Sequence, residues 1–273
     1  MNLRPTGIAA VGSKQVAGLK PCDIQNTAVS LTAYLLSELT KKKVKVIFCD
    51  ERRNPSSELV SYYGSHDTSA KIRKQVEWSD QLKKTVWTEI VAEKIRKQAE
   101  LLQKLGHEEY EMLYRYADEM EFADATNREG HAAKVYFNAL FGKSFTRTEE
   151  NSINAGLNYG YSIILSTVAR EITANGYITQ LGIAHDNMFN QLNLASDLME
   201  PFRPIVDEVI VRSNFQKFET DEKHEVLEIL RKELYVSGKK EYFTNAIKIY
   251  VRSVFDALNE KDNSLIKFYQ DEL

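Results

Sequence analysis

The sequence predicts an α+β protein in which a small strand-containing N-terminal domain precedes a larger all-helical one. Three observations predict it. A β-branched, apolar run, Val44-Lys45-Val46-Ile47-Phe48-Cys49, sits between a helical pattern and a turn-forming stretch. From about Ala70 to the end, apolar residues recur at helical spacing with no convincing strand run. The chain has 273 residues, 43% of them hydrophobic, enough for one large core or two smaller ones. The predicted domains are therefore residues 1–69 and 70–273.

Residues 1 to about 27 carry Pro5, Gly7, Gly12, Gly18 and Pro21 without a sustained period, which predicts loop or irregular structure. From Ser30, Leu31, Leu35 and Leu39 recur at helical spacing, and Lys41-Lys42-Lys43 closes that helix at its negative dipole end. The strand Val44–Cys49 follows, ended by a turn over Asp50 to Pro55. In the second domain Trp78, Leu82, Val86, Ile90 and Ile95 form an apolar stripe within one long helix from Lys71 to Leu105, stopped by Gly106. Further helices are predicted over 108–120, 128–141, 148–175, 178–189, 195–212, 223–233 and 240–258. There is no internal repeat and no low-complexity tract.

A formal net charge of −3 excludes a whole-protein polycation, so any nucleic-acid contact must come from local basic patches. Cys22 and Cys49 lie far apart without CxxC spacing, which argues against a zinc knuckle or a disulfide framework and fits a reducing cytoplasm. No segment approaches the roughly 20 apolar residues that a bilayer requires. The expectation is a soluble cytoplasmic protein with no membrane association.

Three polar positions stand out. Glu129 opens an amphipathic helix in Thr126-Asn127-Arg128-Glu129-Gly130-His131. It either closes a capping box with Thr126 or serves as a ligand. His185 has apolar neighbours in Leu181-Gly182-Ile183-Ala184-His185, as a satisfied core histidine or a ligand would. Asp197 and Glu200 share one helix face at i, i+3, where a divalent cation would relieve their repulsion and a solvated acidic face is the plainer alternative. Pro201 and Pro204 place Glu200 near a kink. Carboxylate oxygens with one imidazole suit Mg²⁺ or Mn²⁺ better than zinc, and such a site leaves room for phosphate oxygens.

Basic residues cluster on the first long helices as Lys71, Arg73, Lys74, Lys83, Lys84, Lys94, Arg96 and Lys97, with Trp78 and Trp87 between them. They form either a stripe that tracks a DNA backbone or solvated faces interleaved with Glu77, Glu89 and Glu93. Arg128, Lys134 and Arg203 neighbour the proposed ligands and are stronger DNA-binding candidates, with Lys74 and Lys84 next. Tyr159, Tyr161 and Tyr177 fit either substrate contact or core.

The connected runs Asn127-Arg128-Glu129-Gly130-His131-Ala132-Ala133-Lys134, Asn154-Ala155-Gly156-Leu157-Asn158-Tyr159-Gly160-Tyr161 and Ser196-Asp197-Leu198-Met199-Glu200-Pro201-Phe202-Arg203-Pro204 closely resemble the first CRISPR-associated protein family, in its type II form. The resemblance runs from about Ser30 to the end. It implies a metal-dependent endonuclease and integrase that inserts spacers into CRISPR arrays. It also implies a metal site made by Glu129, His185 and Glu200, with Asp197 as a supporting acid. The implied partners are a second copy of the chain, a small ferredoxin-like subunit and duplex DNA with 3′-hydroxyl ends. A scaffold without catalysis and a general nuclease of branched DNA are the rival functions.

That family opens with a β-rich domain of several strands, whereas residues 1–27 lack aromatic and β-branched alternation. A truncated or divergent N-domain predicts intact metal ligation with weakened dimerisation and complex assembly.

Overall fold

The computed structural model describes residues 22–24, 29–42, 44, 46–51, 55–59 and 65–271, in two units split between Tyr62 and Tyr63. The N-terminal unit holds a three-stranded sheet. Strand β1 (Cys22–Ile24) pairs parallel with β2 (Val46–Cys49), and β2 pairs antiparallel with β3 (Pro55–Glu58). Helix α1 (Ala33–Lys41) makes the crossover that a parallel pair requires, and the Thr32 hydroxyl caps it by accepting from Leu35 N at 3.2 Å. Strand β1 corrects the loop predicted for that stretch, and β3 occupies the far side of the predicted turn. Strands of three and four residues show no period of their own, and pairing with β2 defines them. The N-terminal irregularity over residues 1–21 and its consequence for assembly lie outside the described residues.

The second unit is built around α3 (Asp80–Leu105). The predicted helix from Lys71 to Leu105 is two helices, α2 (Thr68–Glu77) and α3, broken at Trp78-Ser79. The Ser79 hydroxyl accepts from Leu82 N at 3.3 Å and starts a new helix, while Trp78 turns inward onto Tyr177 and Phe255. Gly106 ends α3 in the left-handed region at φ 80°, as its position predicts.

Helices α4 (Tyr110–Asp118) and α5 (Arg128–Phe141) pack on one side of α3, around Val91, Ile95, Leu102, Leu113 and Tyr136. A larger core gathers α6 (Ser152–Ala174), α8 (Arg203–Ser213) and α10 (Phe243–Glu260) around Ile163, Ile164, Phe202, Val206 and Tyr250. Helix α7 (Asn193–Leu198) and a 3-10 turn at Glu200–Phe202 lead into α8, so the kink predicted beside Pro201 is present. Helix α9 (Thr220–Leu227) continues as a 3-10 turn over Glu228–Arg231.

Two further expectations are corrected. The second unit is not all-helical: β4 (Glu233–Val236) and β5 (Lys239–Tyr242) form a hairpin, with β6 (Tyr269–Gln270) on the other edge of β4. Ser237 and Gly238 take φ of 51° and 74°, the positive values that a tight two-residue hairpin turn demands. Nor is there a helix at 178–189. That backbone is held by distant side chains: Gln75 bonds Ile178 N, Ile178 O and Leu181 O, and Asn193 bonds Asn187 N, Gln180 O and Asn187 O. Asp197 takes three more amides of the same segment. Polar groups satisfied this way have no need of helical hydrogen bonds.

Candidate active site

Glu129 lies in the first turn of α5. The capping-box role predicted with Thr126 is not used, because Asp124 does the capping: its Oδ1 accepts from Arg128 N at 2.6 Å and its Oδ2 from Glu129 N at 3.1 Å. Freed from the helix end, the Glu129 carboxylate reaches α3, where its Oε1 meets Lys94 Nζ at 2.6 Å. Glu200 projects from the 3-10 turn ahead of α8, and its side chain is 3% exposed. Its Oε1 forms an ion pair with Arg203 Nη2 at 2.9 Å, and its Oε2 lies 2.5 Å from the same Lys94 Nζ. The Oε2 contact is ionic and lacks the direction of a hydrogen bond. Two carboxylates from separate segments therefore converge on one ammonium.

Burial pushes the Glu200 carboxyl up, but Lys94 and then Arg203 outweigh it and hold the group below the usual carboxylate range. Burial likewise disfavours the charged Lys94, and the two glutamates overcome it, leaving the ammonium more basic than usual. Removing either buried member, Lys94 or Glu200, leaves an uncompensated charge at a cost of about 3–5 kcal/mol, whereas loss of the partly exposed Glu129 still leaves Lys94 paired with Glu200.

His185 arrives on the loop between α6 and α7. Asp197, fully buried on α7, anchors that loop: Oδ2 accepts from Ile183 N at 2.5 Å and Ala184 N at 3.1 Å, and Oδ1 accepts from His185 N at 3.0 Å. The same Oδ1 lies 2.6 Å from His185 Nδ1, which places the proton on Nδ1 and leaves Nε2 as the ring's outer donor atom. The bond to Asp197 raises the histidine's pKa above its ordinary value; partial burial opposes this, and the charges of Asp197, Glu200 and Glu129 add to it. Trp87 stands edge-on to the imidazole, ring centroids 6.0 Å apart. Gly182 is required here, since a methyl group would press on His185 O and come within 2.8 Å of Asp197 Oδ2.

Behind the site, Asp207 on α8 is buried, accepting from Tyr136 OH at 2.8 Å and Tyr161 OH at 2.5 Å. The Arg203 guanidinium lies over the Tyr161 ring, 5.0 Å from its centroid. Arg203, Tyr161 and Asp207 thus form a polar wall that fixes the base of α8.

Burial takes two residues of the predicted basic stripe away from the surface. Lys94 and Lys97 are interior, Lys94 on the glutamates and Lys97 on Glu100 and over the Tyr269 ring. Arg203 is engaged with Glu200 and Tyr161. Arg128 pairs with Glu119 at 3.0 Å and lies over Tyr116. Lys74, Lys84 and Lys134 are exposed. Of the tyrosines, Tyr159 and Tyr177 are core, the latter stacked 4.0 Å from Phe255. Two residues escaped the sequence reading, Lys94 as a partner of the acids and Asp124 as a cap. A signal existed for Lys94, which falls on the i, i+4 line of Val86 and Ile90 where an apolar residue is expected.

Among the described residues, no group of three or more His, Cys, Asp and Glu side chains stands ready-made around a cation. The donor chemistry nevertheless fits one. Glu129 Oε1 and Glu200 Oε2 already share a positive charge, Oε2 is buried without a directed hydrogen bond, and Nε2 of His185 is the ring nitrogen not engaged by Asp197.

Residues 24–246 match the family described as CRISPR associated protein Cas1. Over 189 residues the chain is 37% identical to the CRISPR-associated endonuclease Cas1 of Neisseria meningitidis serogroup C, an alignment covering 69% of this chain and 62% of that relative. It is 27% identical over 263 residues to an enzyme of the same description from Francisella tularensis subsp. novicida, covering 86% and 81%. Among solved structures, a casposase bound to integration product superposes with a TM-score of 0.70 at 18% identity, covering 86% of this chain and 78% of that one. A CAS1 protein from Thermotoga maritima gives 0.60 at 18% identity, over 85% and 86%. A Cas6-RT-Cas1–Cas2 complex gives 0.66 at 17% identity, over 89% of this chain and 31% of that one.

Proposed function

We propose that this chain, which belongs to the Cas1 family, is a divalent-metal-dependent DNA integrase of CRISPR adaptation, with Glu129, His185 and Glu200 as its metal ligands. The observation that carries the reading is the convergence of Glu129 and Glu200 on one cation, and the third candidate ligand, His185, has its ring fixed by Asp197. The casposase neighbour is described with an integration product, and another neighbour is a complex with Cas2, which supports DNA joining and a Cas2 partner here. The working assembly is two copies of this chain with that small subunit on duplex DNA.

Mg²⁺ or Mn²⁺, when bound, would polarise a phosphoryl oxygen and offset charge in the transition state. The chain's own residues orient and balance. Asp197 holds the His185 tautomer that presents Nε2, and Arg203 fixes one oxygen of Glu200 so that the other points into the site. The reaction is a transesterification. A 3′-hydroxyl oxygen of the incoming duplex bonds to a phosphorus at a repeat border, and the bond from that phosphorus to the displaced 3′-oxygen breaks. The hydroxyl proton ends on the displaced oxygen, by way of solvent. One phosphodiester forms for each one broken, so no external energy source is needed. Lys74, Lys84 and Lys134 are exposed cations suited to the DNA backbone.

The test is joining of a short duplex with 3′-hydroxyl ends to a plasmid carrying the repeat, with Cas2 present, in Mg²⁺ or Mn²⁺ and in chelator. Joining should require metal and should be lost in Glu129→Ala and His185→Ala. Metal-independent DNA binding without joining would sink the integrase reading, as would cutting of branched DNA with no preference for the repeat.

A further inference from the structure

Lys94 has an arrangement that a simple structural lysine would not need. It projects from the middle of α3 with its side chain 8% exposed, and its ammonium is 2.6 Å from Glu129 Oε1 and 2.5 Å from Glu200 Oε2. These oxygens belong to the two acids assigned above to the metal. A divalent cation bound to Oε2 of Glu200 at ordinary ligand distance would sit against the ammonium, and like charges that close repel strongly in a buried site. The second oxygen of Glu200 is already committed to Arg203. Only the oxygen now facing Lys94 is left for a metal.

We propose that Lys94 is a built-in counter-ion of the Glu129–Glu200 pair, filling their shared gap when no metal is bound, and that a divalent cation enters by displacing its ammonium. The proposal rests on the metal site assigned above. The two acids differ in a way that suits such an exchange. Glu129 is 29% exposed and Glu200 only 3%, so a cation arriving from solvent meets Glu129 first and gains Glu200 as Lys94 leaves. A four-carbon stem lets the ammonium withdraw without moving α3, which a guanidinium fork or a shorter side chain would not allow as readily. Without Lys94, the metal-free pair would be two neighbouring carboxylates, one buried, with Arg203 alone to balance them. With it, the folded protein tolerates the metal-free state and the site is selective against weak ligands.

Calorimetric titration of Mn²⁺ into the full chain tests this, with Lys94→Met and Lys94→Gln beside wild type and Glu129→Ala. Both Lys94 variants should bind Mn²⁺ about tenfold or more tightly than wild type, the range of an ordinary coupling between two competing sites. In chelator both should unfold at lower temperature than wild type, and on adding Mn²⁺ both should recover more of it. Far-UV circular dichroism identifies which variant is folded, and Lys94→Gln retains a neutral donor should Lys94→Met fail to fold. Equal or weaker Mn²⁺ binding by a folded Lys94 variant, with wild-type binding still abolished by Glu129→Ala, overturns the counter-ion role and leaves the metal site standing. Absence of any binding sensitive to Glu129→Ala in every protein overturns the metal site and the proposal together.

Discussion

Replacing Asp197 with Asn changes one atom of a buried carboxylate and should disable His185 without touching Glu129 or Glu200. The carboxylate accepts four contacts, two per oxygen: Ile183 N and Ala184 N on Oδ2, and His185 N and Nδ1 on Oδ1. An amide offers one oxygen and one NH₂. Whichever way it turns, two donors then face a donor. Each lost bond to a charged acceptor is worth about 1.5–3 kcal/mol, so the pair amounts to about 3–6 kcal/mol. Most of that acts on the loop at 182–185 rather than on the core, because the loop can lift away and hydrate its amides while α6 and α8 stay packed. The global unfolding midpoint should fall modestly while the amides of Ile183, Ala184 and His185 lose most of their protection from hydrogen exchange. Since Asp197 is the main cause of the raised His185 pKa, the histidine should titrate lower in the variant. Misplacing a reacting group by about 1 Å costs on the order of 10²-fold, and DNA joining should fall by at least that much. Full joining by Asp197→Asn, with unchanged amide protection and an unchanged His185 titration, would refute the reasoning.

Two other substitutions probe the packing behind the site. A methyl at Gly160 would lie 2.8 Å from Val206 Cγ2 and closer to Cγ1, whereas one at Gly156 would first meet the terminal Cδ1 of Ile210, which can rotate away. Gly160→Ala should cost about 1–3 kcal/mol of overpacking against about 1 kcal/mol of helix propensity gained, lower the urea midpoint, and weaken joining by shifting α8 next to Glu200; Gly156→Ala should stay close to wild type. Burial pushes the Asp207 carboxyl up to about 6, against Tyr161, Tyr136 and Arg203. The native state therefore holds that proton more tightly than the unfolded chain, so this group's contribution to stability falls as pH rises from about 4 to about 6 and is flat above, by at most about 3 kcal/mol. Asp207→Asn should gain on wild type by that much across the same window, read from paired urea titrations; a constant difference between the two would contradict the assignment.

Local rules served the sequence reading well where they governed the backbone. Helix α5 runs over the predicted Arg128–Phe141, and Gly106 stops α3 in the left-handed conformation that its type and place foretell. They failed where satisfaction comes from afar. The segment from Ile178 to Phe189 has the composition of a short helix, yet its amides and carbonyls are taken by Gln75, Asn193 and Asp197, and no window of neighbouring residues records that. The hairpin of β4 and β5 was hidden for another reason: four-residue strands interrupting a helical pattern carry too few alternations to reveal a period of two. Glu129 shows the same limit at a single residue. Thr126 and Glu129 have the spacing of a capping box, and Asp124 displaces both from that duty through a turn in which Ala123, Asp124 and Asn127 all take positive φ.

The division of labour at Glu129 recurs at the other two candidate ligands. His185 presents Nε2 because Asp197 carries the loop's amides and the other ring nitrogen. Glu200 keeps one oxygen in the site because Arg203, held over Tyr161, takes the other. In each case a neighbouring charged residue does the structural work, and the ligand is left with little part in holding its own backbone. The two groups should therefore fail differently. Removing Asp124, Asp197 or Arg203 disturbs a backbone segment or a buried charge, and its effect must appear in hydrogen exchange or unfolding as well as in joining. Shortening Glu129, which is partly exposed and free of the helix end, should abolish joining while leaving the unfolding midpoint nearly unchanged in the presence of chelator. A Glu129→Ala chain that unfolds as easily as Asp197→Asn would mean that the acid is a structural partner of Lys94 first and a ligand only second.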